Sequence, residues 1–393
     1  MDFGWSSSRR NRSNAEQHNG ETTLQNEEED QRTSTSIEPA DIASLSVRKL
    51  RKMLHDKGLR VVGKKEDLVE RLLHPERETP AQIRNGIAHS CLTADYILRV
   101  GLIWVNIGDE RQNVREAASI TRFKAFYGVE PRTIKDAYDS FIDLCSEDDT
   151  CLKEFMMLVE WLKKYDTESC MTSRWGLDEK HIGLKVKKVG EKMQLASKQI
   201  IVLNFSDFDA KEIIILSVDC VNYPTTEFRL DPGIEWYDHK SHGPGLKYEY
   251  AVSNHNPYCV WIRGPFPAGK YNDMSVFLGM EKKKQPKAEW NRSALYWKLP
   301  VGKKVVADSI YSGCPEKVMV KRDGHPEWVT EYLDRIQNRQ ETYHERLSNF
   351  NILSFKFRHG KSSEDKMQLH RMAVDCVAFL VHHDLKYHPL MDV

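Results

Sequence analysis

The sequence has no surplus of charge: 58 Lys and Arg stand against 58 Asp and Glu in 393 residues. A uniformly basic coat for nucleic acid is excluded, so any surface for a polyanion must come from local segregation of charge. Cysteine is sparse, at 91, 145, 151, 170, 220, 259, 314 and 376, and no two have C-x-x-C spacing. The absence of that spacing excludes zinc knuckles, and a disulfide framework is not expected in so long a chain. The thiols are expected to be reduced, as in the cytosol or nucleus. No run nears the ~20 apolar residues of a membrane helix. The first residues hold no apolar stretch that would serve as a signal peptide. We therefore expect a soluble intracellular protein with no membrane partner.

What is present divides the chain. At 40% apolar residues there is material for a sizeable core, and the length predicts two or three domains. Residues 1–40 are rich in Ser, Asn, Gln, Glu, Arg and Thr, and are expected to be a disordered tail. Arg9, Arg10 and Arg12 within it are either a nuclear-import signal or part of a solvated tail.

From 41 to 74 the character changes. Leu45, Val47, Leu50 and Leu54 recur at helical spacing, and so do Leu68, Val69 and Leu72. Between them lies DKGLRVVGKK, with Gly58 suited to a helix end. The order and spacing of Leu50, Gly58, Leu59, Gly63, Lys64 and Leu68–Leu72 resemble a SAP module, a DNA-binding helix–loop–helix. Arg48, Lys49, Arg51, Lys52, Lys64 and Lys65 are then the candidate DNA contacts, with Lys57 and Arg60 adding charge nearby. Phosphate neutralisation supplies affinity there and little sequence choice.

Residues 75–92, with Pro75 and Pro80, are expected to be a linker. Residues 93–174 are expected to be mostly helical. Ile120, Phe123 and Phe126 form one apolar stripe, and Ile134, Tyr138 and Phe141 a second, on either side of the Gly128–Pro131 turn. Such a pair is compatible with a helix-turn-helix, whose second helix would bring Arg132 and Lys135 to DNA, and equally with an ordinary helical hairpin.

After Trp175 the pattern is read as strands: KEIIILSVDCVNY, LKYEYAVSN and YCVWIRG. KYNDMSVFLGM then starts a helix with Asp273 as its expected N-cap. KKVVADSIYSG is a further strand, and PEWVTEYLDRIQNRQETYHERLSNFNIL a long helix. This is the ribonuclease H-like order, an α/β fold with a mixed sheet and flanking helices. Asp219 is expected to end the first strand and Asp308 the fourth, with Glu341 on the following helix. Glu345, one turn on, competes with Glu341. Carboxylates converging there repel one another and call for a cation. With no sulfur or imidazole among them, Mg²⁺ or Mn²⁺ is the expected cofactor, as two ions about 4 Å apart.

Residues 175–385 resemble the catalytic domain of eukaryotic DDE transposases of the Harbinger and related insertion-sequence-like superfamily. The likeness is carried by VDC at 218–220, YDHKSHGPGLKYEYAVS at 237–253, VWIRGPFPAGKYNDMSVF at 260–277, VADSIY at 306–311, RQETYHERL at 339–347 and FKFRH at 355–359. It implies a catalytic domain over 175–393 and a metal-dependent endonuclease acting on double-stranded DNA in the nucleus. Asp219, Asp308 and Glu341 would be its catalytic metal ligands, with Asp273 as a further or alternative ligand. It also implies a homo-oligomer, since transposases commonly act as dimers or larger assemblies. Ser348 and Ile310 depart from the family, where a basic residue and a glycine are usual. A transposase-derived protein that binds DNA without cutting it is the alternative. His239, Lys240 and His242 are either DNA contacts or a solvated loop. His382, His383 and His388 are expected to be a surface cluster.

Overall fold

The computed structural model describes residues 42, 45–56, 65–73, 92–107, 116–145, 150–281 and 285–392. The tail at 1–40, the linker up to residue 91 and the SAP-like loop with Gly58, Leu59, Gly63 and Lys64 lie outside the described residues. Helices α1 (Val47–Asp56) and α2 (Lys65–Leu73) bury Leu50, Leu54, Leu68 and Leu72 together with Ile42. Leu45, Val47 and Val69 pack partly buried against this cluster, so the two apolar stripes meet as their spacing requires.

A helical layer follows: α3 (Ala94–Trp104), α4 (Glu116–Tyr127), α5 (Pro131–Leu144), α6 (Leu152–Lys164), α7 (Glu168–Trp175) and α8 (Glu179–Ile200). The last corrects the reading that strands begin after Trp175. Asp178 caps it by accepting from the His181 N–H, and Ile182, Val186, Val189, Met193 and Ala196 form its buried stripe.

The sheet comprises β1 (Ile214–Pro224), β2 (Tyr237–Asp238), β3 (Gly243–Ser253), β4 (Cys259–Pro267), β5 (Lys304–Val306) and β6 (Val318–Met319). Its order is β4–β3–β1–β5–β6, with β2 on the far stretch of β3. The β4, β3 and β1 pairings are antiparallel, while β5 and β6 run parallel to β1. Helices α9 (Asp273–Leu278) and α10 (Leu295–Lys298) lie between β4 and β5 in sequence, and α11 (Glu327–Ser348) and α12 (Asn351–Ser354) follow β6. The molecule is thus a mixed α/β fold with flanking helices.

The last helix, α13 (Ser363–Asp384), joins the layers. Nearly its whole second half is buried, from Met372 to Val381. It packs along α8, where Gly190 leaves room for it: a Cβ there would stand 2.8 Å from the Met372 Sδ. Gln194 donates to Asp375 at 2.8 Å, and the Arg371 guanidinium donates to the Gly264 carbonyl of β4 at 2.8 Å. One apolar core consequently runs from Leu92 to Leu390 and takes in helices and sheet together, so packing does not break at 174–175. No helix among the described residues is long and apolar enough to cross a membrane.

Candidate functional site

Strand β1 sets the site. Its antiparallel ladder with β3 runs from Leu216↔Ser253 to Pro224↔Gly245, but its parallel pairing with β5 stops at Ser217↔Val306. Asp219 therefore does not end the strand, which continues five residues beyond it. It lies where the sheet loses one neighbour. Asp308 stands two residues past Val306, just as Asp219 stands two past Ser217. The pairing register thus brings both carboxylates to the carboxyl end of one parallel pair.

Side chains alternate along a strand, so Ser217 and Asp219 share a face. That face carries α11. The Ser217 hydroxyl donates to the Gln340 Oε1 at 2.6 Å, and Val306 of β5 packs with Val329, Leu333 and Ile336. The Gln340 amide nitrogen lies 2.9 Å from the His344 Nε2. An amide nitrogen only donates, so Nε2 accepts and the ring proton sits on Nδ1, 3.6 Å from Asp219 Oδ2. Burial pushes His344 down to about 4, so the ring is neutral and gives Asp219 a dipole rather than a counter-charge. Residues Ser217, Gln340 and His344 were not singled out from sequence, although His344 falls within the RQETYHERL motif three residues after Glu341.

The electrostatics are those of crowded acids. The Asp219 carboxyl is raised to about 7, first by burial and then by the charges of Asp273, Glu341 and Asp308; the Cys220 N–H opposes this. Asp308 is raised by burial and by Asp273, against the Ile310 N–H and the Lys240 charge. It also caps the 3₁₀ turn Ser309–Gly313, accepting from the Ile310 N–H at 3.0 Å. Glu341 is exposed on α11 and acts on Asp219, whereas Glu345 is not among the principal charges acting there. Lys240, in the β2–β3 turn, is held near Asp308 because Asp238 accepts from the Lys240 and Ser241 N–H groups at 3.1 Å each.

Asp273 behaves otherwise than expected. Asn272 is the N-cap, accepting from the Ser275 N–H at 2.7 Å, and Asp273 is the first residue inside the helix. Its carboxylate binds the Lys247 ammonium, and both are buried. Lys247 and Glu249 alternate with Leu246, Tyr248 and Tyr250 on β3 and so point to the sheet face opposite Asp219. Glu249 is fully buried there and accepts from the Trp261 indole at 2.9 Å; burial raises it to about 7. The expected ligand Asp273 thus has a cation already, while its field still reaches Asp219 and Asp308.

The donor set suits a hard divalent cation in kind: oxygen only, negatively charged, and mutually repelling. Among the described residues, no three His, Cys, Asp or Glu side chains are drawn together closely enough to hold a metal ion.

Lys49 is exposed and Lys65 half-buried on the two amino-terminal helices, while the side chains of Arg48, Arg51 and Lys52 lie outside the described set. Helix α5 packs through its buried face against α3, α8 and α13. Arg132 pairs with Glu130 at 2.8 Å and lies 4.4 Å over the Tyr387 ring, and Lys135 pairs with Asp139 at 2.6 Å. The three carboxy-terminal histidines are half-buried rather than a surface cluster. Burial holds His382 and His383 down to about 4, and His382 stacks on Tyr258 at 4.3 Å.

No curated protein and no solved structure matches this chain. The SAP domain family model matches residues 41–74, which suggests DNA binding by that segment.

Proposed function

We propose that the protein is a metal-dependent DNA transposase or endonuclease of the DDE type, with a ribonuclease H-like catalytic domain, acting in the nucleus on double-stranded DNA. The observation that supports this reading is the β1–β5 register, in which Asp219 and Asp308 each stand two residues past the last paired residues, Ser217 and Val306. The strand order supports it, with three antiparallel strands followed by two parallel ones and a long helix over β1. So does the SAP match, which supplies a DNA-holding module on the same chain.

Asp219, Asp308 and Glu341 would hold one or two Mg²⁺ or Mn²⁺ ions. A bound divalent cation polarises a phosphodiester and lowers the pKa of an attacking water. Ionised Asp219 is the form that accepts a cation, so its proton must leave first. His344 holds one side of that carboxylate, with Gln340 and Ser217 fixing the ring. Lys240 stands on the Asp308 side, placed to meet a phosphate oxygen. The cut strand end would then be joined to target DNA through its 3′-hydroxyl.

Purified protein incubated with supercoiled plasmid and Mg²⁺ or Mn²⁺ is expected to nick it, and the Asp219→Asn, Asp308→Asn double variant is expected to be silent. Equal nicking by both proteins would refute the assignment. A second reading, DNA binding without cleavage, is favoured by the open spacing of the carboxylates. It predicts tight binding and no nicking with either metal.

A further inference from the structure

A second feature opens at the far end of β1. Thr225 continues the strand into a parallel bridge with Phe357, and the Thr226 N–H donates to the Phe357 carbonyl at 2.9 Å. This seam, the β2–β3 turn and the start of α13 enclose a cleft of about 660 Å³. Arg229, His242, Lys356, Arg358, Lys361 and Lys366 line it, and Glu227 is the single acidic residue in the lining.

The cations there are held by neutral oxygens. Lys366 is buried, and its ammonium donates to the Thr226 carbonyl and hydroxyl at 2.9 Å each and to the Glu227 carbonyl at 3.1 Å. Arg358 donates to the Tyr165 and Asp166 carbonyls at 2.7 Å each. Among the described residues neither has a carboxylate in ion-pair contact. Burial and the Arg229 charge both disfavour the Lys366 ammonium. A buried cation ordinarily has a counter-ion, and here the open side of the cleft is the place for one. Gly360 keeps the shape: at φ +99°, a Cβ there would lie 2.4 Å from the Lys366 Cα.

We propose that this cleft is a phosphodiester-binding site for the DNA strand that passes the carboxylates, with Lys366 as a fixed positive charge behind it and Arg229, Lys356 and Lys361 as the rim that meets the phosphates. Position supports DNA over a small anion. Six residues of extended chain separate Asp219 from Thr225, which at ~3.3 Å per residue is about 20 Å. That spans about six nucleotide steps at ~3.4 Å each. The β2–β3 turn joins the two places, with Lys240 acting on Asp308 and His242 lining the cleft. The DNA assignment rests on the proposed function, whereas the anion site stands on its own geometry.

The test is fluorescence anisotropy of a short duplex with full-length protein in EDTA over a range of salt, comparing wild type with Arg229→Gln, Lys356→Gln, Lys361→Gln. These rim residues are exposed, and an unchanged melting temperature would show that the variant folds. Three lost cations at ~0.9 each should lower the slope of log affinity against log salt by about 2–3, with affinity down on the order of 100-fold near 0.1 M salt. Unchanged slope and affinity would overturn the proposal. So would a melting temperature raised by millimolar inorganic phosphate only in wild type, with DNA affinity equal in both, since the cleft would then take free phosphate. Because EDTA removes the metal, the result is independent of nicking. Loss of binding in a protein that never nicks would keep the cleft and discard the nuclease.

Discussion

Replacing Asp219 by Asn should make the metal-free protein more stable, although it removes the residue on which the proposed chemistry depends. Burial and three neighbouring carboxylates move this carboxyl from 3.8 to about 7. Between those values the folded state keeps a proton that the unfolded state has lost, so stability falls as pH rises from about 4 to about 7, and the loss is complete above that. At ~1.4 kcal/mol per pH unit the full loss is roughly 4 kcal/mol, trimmed to about 2–4 kcal/mol by water at a carboxylate that is partly exposed. Asn keeps the shape without the charge, and should recover most of this at pH 8 and under about 2 kcal/mol at pH 5. Urea unfolding at the two pH values, with and without Mg²⁺, measures it. Mg²⁺ should stabilise wild type at pH 8 and leave the variant unmoved. A variant less stable than wild type at pH 8 would show that the carboxylates do not repel one another in the folded chain, and the argument for a cation there would collapse.

Two further outcomes follow from the same packing. Lys247→Met should cost about 3–5 kcal/mol by leaving the buried Asp273 carboxylate unpaired, and adding Asp273→Leu should restore most of it; denaturant midpoints of the single and double variants check this, and an undiminished midpoint in Lys247→Met would contradict the pair. If the protein nicks DNA, Glu341→Gln should abolish nicking while Glu345→Gln retains at least about half, because only Glu341 is among the charges that act on Asp219; the reverse result would transfer the third acidic role to Glu345.

Much of the sheet was legible from residues alone, because β1, β3 and β4 are short apolar or alternating runs, and Asp219 and Asp308 follow the apolar stretches that pair. The SAP-like helices were legible because their leucines face one small core. Helix α8 was missed despite a regular buried stripe from Ile182 to Ala196 and an Asp178 cap; its Val186, Val189, Gly183 and Gly190 weaken local helix preference, and tertiary packing against α13 compensates. Helix α13 showed no clean period because it is buried almost all round from Met372 to Val381, which removes the polar face that marks a helix. The cap exchange at 272–273 was hidden for another reason. Asn and Asp both cap well, and what frees Asp273 to turn inward is Lys247, 26 residues earlier on another strand. The surroundings of Asp219 were out of reach in the same way: Gln340 and Ser217 meet across 123 positions.

The placement of α13 bears on the order in which the protein can be made. On the ribosome, helices α3 to α8 emerge well before the segment that covers them, and the sheet strands emerge in between. Until residues 363–384 are out, α8 lacks the partner against which Gly190 was shaped, and β4 lacks the arginine that ties it to the helical side. The early helices must wait with apolar surface showing, so synthesis and folding are out of step by nearly half the chain. A copy of the gene stopped short of codon 363 would still encode Asp219, Asp308 and Glu341. It would yield a polypeptide that holds every proposed acidic ligand and lacks the helix that lets them stand in a finished fold.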